Sequence, residues 1–225
     1  MTIALADGGS IPRIGLGTWP MDDAQCERVV AEAIGLGFRL VDTAFAYGDG
    51  AGVGKGVKAS GVAREDIFIT TKFNKPSHSI PGVAKAFEDS ARLLDVDMID
   101  LMLIHWPIPS HDRYVEAWEG LIALQEQGKV RHIGTSNFLP EHLDRIIDAT
   151  GVVPALDQLQ INPRYLQSHA REYNAAHGIV TQSWSPLGQG TGLLEQPLIV
   201  QAAERYDCTP GQLVIAWHLA MGLCT

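Results

Sequence analysis

The run IDLMLIH at residues 99–105 sets the reading of this chain. It is nearly continuous in apolar side chains and ends in a histidine. A strand of that kind is covered on both faces, as in a parallel sheet with helices packed against it. Similar short apolar or β-branched runs occupy Phe38–Thr43, Ile67–Lys72, Val130–Ser136, Ala155–Gln160 and Ile179–Ser183. Their starts, with Ile99 in its place, are 29, 32, 31, 25 and 24 residues apart. Between and beyond them lie helical patterns at Asp22–Leu36, Gly52–Ser60, Gly82–Leu94, Tyr114–Gln127, Pro140–Ala149, Ser168–His177 and Thr209–Met221. Gly37 and Gly178 stand where two of these helices must stop, and Pro140 stands where a first turn begins.

Strand and helix alternating at this interval predict βαβ units and a parallel sheet. A doubly wound sheet fits the alternation too. The near-constant interval and the absence of a composition break favour an α/β fold of the (β/α)8 barrel type. A short first strand is expected near Gly15–Thr18. Before it, Ile3–Ala6 and Ile11–Ile14 flank the turn residues Asp7-Gly8-Gly9-Ser10, which predicts an N-terminal β-hairpin. Seven barrel strands are then in place by Ser183. An eighth should begin near Leu223. With the chain ending at Thr225, that strand and the C-terminal helix are expected to be missing from an otherwise single domain over residues 1–225.

The bulk numbers narrow the function. The chain has 225 residues, 46% hydrophobic and 19% charged, and a formal net charge of −9. A core can form, and an acidic surface does not attract nucleic acid or anionic membranes. An anionic cofactor would need a local positive site. No apolar run approaches the roughly 18 residues of a spanning helix, and the N-terminus lacks a signal-peptide pattern. Cys26, Cys208 and Cys224 fit neither a disulfide framework nor a metal knuckle, so a reduced, cytoplasmic setting and no bound metal are expected.

Each apolar run ends in polar or reactive side chains. These are Asp42 with Tyr47 close behind, Lys72, His105, Ser136-Asn137, Gln158 with Gln160, and Ser183-Trp184-Ser185. The C-terminal ends of parallel barrel strands share one rim, where barrel enzymes place their chemistry. Alone, each is as well explained as a loop or cap residue, and Asp42 with Lys72 as a structural ion pair. Together, Tyr47, Lys72, Asp42 and His105 can form a proton-donating unit. An ammonium beside a phenol lowers its pKa, a carboxylate keeps that ammonium charged, and an imidazole can orient a carbonyl oxygen.

These residues sit in stretches that resemble the aldo-keto reductases over nearly the whole chain. The stretches are GLGTW at 15–19, GFRLVDTAFAYG at 37–48, ITTKF at 69–73, LMLIHWP at 101–107, IGTSNF at 133–138, LDQLQINP at 156–163, QSWSPLGQG at 182–190 and TPGQLVIAWHL at 209–219. The likeness is to the bacterial branch that reduces small aldehydes, ketoacids and diketogluconate-type sugars. It implies NADPH-dependent reduction of aldehyde or ketone groups to alcohols by hydride transfer. Tyr47 would be the general acid, Lys72 its pKa-lowering neighbour, Asp42 the partner of Lys72, and His105 the carbonyl-orienting group.

The resemblance further implies that Ser136, Asn137 and Gln158 hydrogen-bond the nicotinamide carboxamide and that Trp184 stacks on its ring. Thr18, Ser185, Leu187, Gly188 and Gly190 complete the implied cofactor site. Trp19, Phe45, Phe73 and Trp106 would line the substrate pocket. The family carries an acidic or amide residue three positions after the tyrosine; here it is Gly50, which should loosen the start of the second helix. The family's 2′-phosphate segment would follow Thr225, so NADH stays open beside NADPH. The expected partner is a small carbonyl substrate, and the expected state a monomer. A non-catalytic regulatory barrel that binds the cofactor is the alternative; it need not keep all four catalytic types. A metal-dependent barrel hydrolase would need more strand-end His and Asp than His105 and Asp42.

Overall fold

The computed structural model describes residues 1–225. The first hairpin pairs β1 (Thr2–Ala4) with β2 (Ser10–Pro12) antiparallel. Seven parallel strands follow: β3 (Leu16–Gly17), β4 (Leu40–Asp42), β5 (Phe68–Phe73), β6 (Ile99–Ile104), β7 (Val130–Ser136), β8 (Leu156–Gln160) and β9 (Val180–Trp184). They lie side by side in chain order, which is the order of a barrel wall and not of a doubly wound sheet. Cys224 and Thr225 stand in the gap between the two edges. Ser183 N–H donates to Cys224 O (2.8 Å), and Gly15 N–H donates to Thr225 O (2.8 Å). The expected eighth strand thus begins at Cys224 and links β9 to the segment that leads into β3.

Helices α1 (Asp23–Gly35), α2 (Gly50–Ala59), α3 (Ile80–Leu94), α4 (Tyr114–Glu126), α5 (Pro140–Thr150), α6 (Ser168–Ala176), α7 (Pro197–Arg205) and α8 (Pro210–Ala220) follow in order. No helix is long and apolar enough to cross a membrane. Caps account for several boundaries. Asp22 accepts from Gln25 N–H at the start of α1, and Thr209 accepts from Gln212 N–H at the start of α8. Gly37 and Gly178 take positive φ, as their places after helices require.

Helix α7 has no counterpart in the sequence reading. Its first residue is a proline and no side chain caps it, so its only signal is a short amphipathic pattern. Gly50 is the first residue of α2, and no side chain caps the helix there. The glycines of α2 answer to close packing. A Cβ on Gly52 would meet the Asp23 carbonyl oxygen at 2.1 Å, and one on Gly54 the Leu94 carbonyl oxygen at 2.5 Å.

Alternation along the strands sorts side chains into two sets. Ile69, Met102, Ile104 and Ile133 point outward into the layer between sheet and helices. Leu40, Phe68, Leu101, Leu103 and Leu156 point inward and fill the barrel floor with Leu5 and Ile11 of the hairpin segment. Asp7, in the hairpin turn, holds the His132 ring at 2.9 Å and fixes the hairpin across that floor. The inward positions nearer the strand C-termini are polar: Asp42, Lys72, Ser136, Gln158 and Gln182. The fold thus packs an apolar floor beneath a polar layer at the C-terminal ends of the strands.

Candidate active site

Asp42 ends β4. A single 3-10 turn over Phe45–Tyr47 then brings the phenol back over the strand ends. Lys72 points inward from β5 and its side chain is fully buried. Its Nζ donates to Asp42 Oδ1 at 2.5 Å and to the Thr43 carbonyl at 2.9 Å. The same Nζ lies 5.3 Å from the centre of the Tyr47 ring. His105 follows β6 directly, its ring edge-on to Tyr47 with centroids 5.9 Å apart. Four residues spread over 64 positions of sequence therefore meet at one point on the rim.

The electrostatics correct one expectation. Burial raises the Tyr47 pKa above the ordinary phenol value; the Lys72 ammonium pulls it down, and Asp42 pushes it up again. The net direction is upward, opposite to the expected lowering, because desolvation of the phenolate exceeds the attraction of a lysine already shared with Asp42. Tyr47 is thus a protonated phenol at neutral pH. Burial and then the Lys72 charge hold His105 at about 4, so its ring is neutral. Its buried Nδ1 has no hydrogen-bond partner within the protein.

The residues expected around a nicotinamide also converge, and they are tied to one another. Asn137 adopts a left-handed backbone at φ 62°. Its side-chain NH2 donates to the His105 carbonyl and to Ser136 Oγ, each at 3.0 Å. Its Oδ1 accepts from the Trp184 indole N–H at 2.9 Å. Ser136 Oγ donates to the Gln158 carbonyl at 3.1 Å. In this structure Ser136 and Asn137 brace the rim and hold Trp184 in place. Gln158 alone of the three keeps an uncommitted side-chain acceptor, its Oε1. Thr18 is fully buried, and its hydroxyl donates to the Asp42 carbonyl at 3.3 Å.

The loop after β9 carries Ser185, Gly188 and Gly190, all at positive φ, with Leu187 exposed. Gly188 is required: a Cβ there would strike Leu193 at 2.7 Å. Arg164 was not expected at this loop. Its guanidinium donates to the Thr191 and Gly192 carbonyls, each at 3.0 Å, and brings positive charge beside the glycines. Nothing in the sequence around Arg164 signals this, since the contact spans 27 residues.

Trp19, Phe45 and Trp106 are 54%, 48% and 43% exposed, an unusual display of large aromatics. Phe73 does not join them. It is 1% exposed and packs outward in the layer under the helices, edge-on to His78. Lys72 points into the barrel, so the next residue must point out. Asp49 and Gln182 are the polar residues that the strand-end reading missed. Asp49 is fully buried and accepts from Thr43 Oγ1 at 2.6 Å, fixing the turn that carries Tyr47.

Comparison with known proteins agrees with this geometry. Residues 13–223 match the model of the aldo/keto reductase family. The chain is 45% identical over 222 residues to the methylglyoxal reductase DkgA of Salmonella typhimurium, covering 98% of this chain and 80% of that protein. It is 44% identical over 220 residues to an aldo-keto reductase of Mycolicibacterium smegmatis, with 98% and 80% covered. Among solved structures, an aldo/keto reductase from Brucella melitensis superposes with a TM-score of 0.95 at 40% identity, covering 100% of this chain and 86% of that one. A Gox0644 variant in complex with NADPH superposes with a TM-score of 0.94 at 44% identity, covering 100% and 81%. On both fold and sequence, this chain belongs to the aldo/keto reductase family.

Proposed function

We propose that residues 1–225 form one catalytic barrel domain that reduces the carbonyl group of a small aldehyde or ketone to an alcohol with NADPH, as a cytoplasmic monomer. The observation that carries this reading is the meeting of Tyr47, Lys72, Asp42 and His105 at the C-terminal ends of the strands. The NADPH complex of the similar Gox0644 variant supports the cofactor. So do the open Gln158 Oε1 and the Arg164-braced glycine loop. Relatives named methylglyoxal reductases make a small dicarbonyl the first substrate to try.

NADPH, when bound, supplies a hydride to the carbonyl carbon. Negative charge then grows on the carbonyl oxygen, and Tyr47 donates its phenolic proton to that atom. The raised pKa keeps the proton in place until it is needed. The phenolate left behind faces the Lys72 ammonium, whose charge Asp42 secures. Neutral His105 can donate one N–H to the same oxygen without adding a charge that would lower its basicity. Trp106 lies against the His105 ring, centroids 6.5 Å apart, and extends an apolar surface beside the reacting centre.

Tyr47→Phe tests the assignment. A positioned general acid contributes about 10²–10⁴-fold, so kcat for carbonyl-dependent NADPH oxidation should fall by that order while NADPH binding is unchanged. Undiminished turnover in that variant refutes the proton-donor role. Wild-type protein that binds NADPH but turns over no aldehyde or ketone in a broad panel refutes the catalytic reading itself.

A further inference from the structure

Inside the barrel, below the rim, two glutamines continue the line of polar contacts that starts at Lys72. Asp42 Oδ1 accepts from Lys72, and Asp42 Oδ2 lies 2.7 Å from Gln158 Nε2. The same Nε2 lies 2.8 Å from Gln182 Oε1. An ionised carboxylate only accepts, so the end of the Gln158 amide that faces Asp42 must be its NH2. One N–H goes to Asp42 and the other to Gln182. Gln158 Oε1 receives no hydrogen bond from the protein, and it is not among the polar atoms sealed away from solvent.

The terminal torsion of a glutamine is broad and roughly two-fold. One anchor, at Asp42, leaves the plane of the amide free to swing. A second anchor on the other N–H fixes that plane. Gln182 is well built for this task. It is 2% exposed and sits in mid-strand on β9, where its backbone also bridges to Cys224. No helix or loop motion carries it.

We infer that Gln182 is a positioning residue for the cofactor: by holding the second N–H of Gln158, it presents Gln158 Oε1 to the site as a fixed acceptor. This rests on the proposed NADPH-dependent function. The group such an acceptor selects is a donor, the NH2 of the nicotinamide carboxamide. Gln182 touches neither cofactor nor substrate; it acts through Gln158. A glutamate at position 182 could accept the same N–H, whereas an apolar side chain could not.

The test measures NADPH binding by protein fluorescence in the full chain, with melting curves to confirm folding. Losing the hydrogen bond that orients Gln158 should weaken NADPH binding about tenfold in Gln182→Leu, and Gln182→Glu should bind within about twofold of wild type. Gln182→Met is the substitute if the leucine variant does not fold. The 3-acetylpyridine analogue of reduced NADP lacks the amide NH2, so it should bind wild type and Gln182→Leu equally. In a Gln158→Leu background, Gln182→Leu should add no further loss. Unchanged NADPH binding in Gln182→Leu overturns the inference, as does an equal loss with the analogue or in the Gln158→Leu background. Wild-type protein that does not bind NADPH overturns the functional reading, and this inference with it.

Discussion

Asp42→Asn removes the charge on which the site depends and keeps its shape. The Lys72 ammonium is fully buried, and Asp42 is the one carboxylate paired with it. The remaining bond to the Thr43 carbonyl offsets little of a whole charge. Removing one partner of a buried ion pair costs about 3–5 kcal/mol, because the other charge stays desolvated and unpaired. Asparagine can still accept from Lys72, but its NH2 then faces the Gln158 NH2 that Asp42 Oδ2 received, so the lower end, about 3 kcal/mol, is a floor. For a chain of this length each kcal/mol moves the melting midpoint by about 2–4 °C, so the midpoint should drop by about 6–12 °C or more. The double variant Asp42→Asn with Lys72→Met carries no buried charge. It should regain about 2 kcal/mol over Asp42→Asn alone, while carbonyl reduction stays lost. Urea unfolding followed by tryptophan fluorescence, alongside NADPH oxidation, measures both quantities. Asp42→Asn within about 0.5 kcal/mol of wild type would refute the reasoning, as would a double variant whose loss is the sum of the singles.

Three further outcomes follow from the same structure. Tyr47 is protonated at neutral pH and His105 is neutral above about 4, so kcat/KM for reduction should stay flat from about pH 5 to 9. A pH–rate profile with an acid limb near 6.5 would mean that His105 titrates as an ordinary histidine. Asp157 is fully buried, with one oxygen on Thr135 Oγ1 and the other unpaired, and burial raises its pKa to about 7. The folded state therefore binds the extra proton between the unfolded value near 3.8 and about 7, and stability falls as pH rises through that window. Asp157→Asn should gain stability over wild type at pH 8 and lose that advantage at pH 4, as read by melting midpoints; an advantage independent of pH would contradict the buried-acid account. Gly52→Ala should destabilise by at least about 2 kcal/mol, because its Cβ meets backbone and not a movable side chain; a neutral result in urea unfolding would show that α1 and α2 can separate freely.

Much of this was legible in the chain because barrel strands announce themselves twice. IDLMLIH shows burial in its apolar run and shows the rim in its terminal histidine. The same logic brought out Asp42, Lys72, Asn137 and Trp184. It could not tell which face each residue takes. The family resemblance implies a pocket position for Phe73, yet its place after Lys72 turns it into the outer layer. Gln182 was passed over because Ser183 and Trp184 mark the strand end more visibly. The direction of the Tyr47 shift depends on how deeply the ring is buried and on how fully Asp42 occupies Lys72. Neither quantity is encoded in spacing.

Helix α2 carries four glycines in ten residues, GAGVGKGVKA. Each lowers helix propensity by about 1 kcal/mol relative to alanine, so the segment has almost no tendency to coil by itself. It is helical because α1 and α3 leave room for nothing wider. Held by packing more than by propensity, such a segment should open before the strands do, with its amides exchanging with solvent ahead of those of β5 and β6. Tyr47 and Asp49 lie immediately before this helix, while Lys72 and His105 stand at the ends of β5 and β6. The proton donor thus sits on a turn that leads into the least self-sufficient helix of the barrel, and its electrostatic partners at the ends of fully buried strands. A substitution that disturbs the seat of the glycine helix should therefore reach the phenol before it reaches its partners.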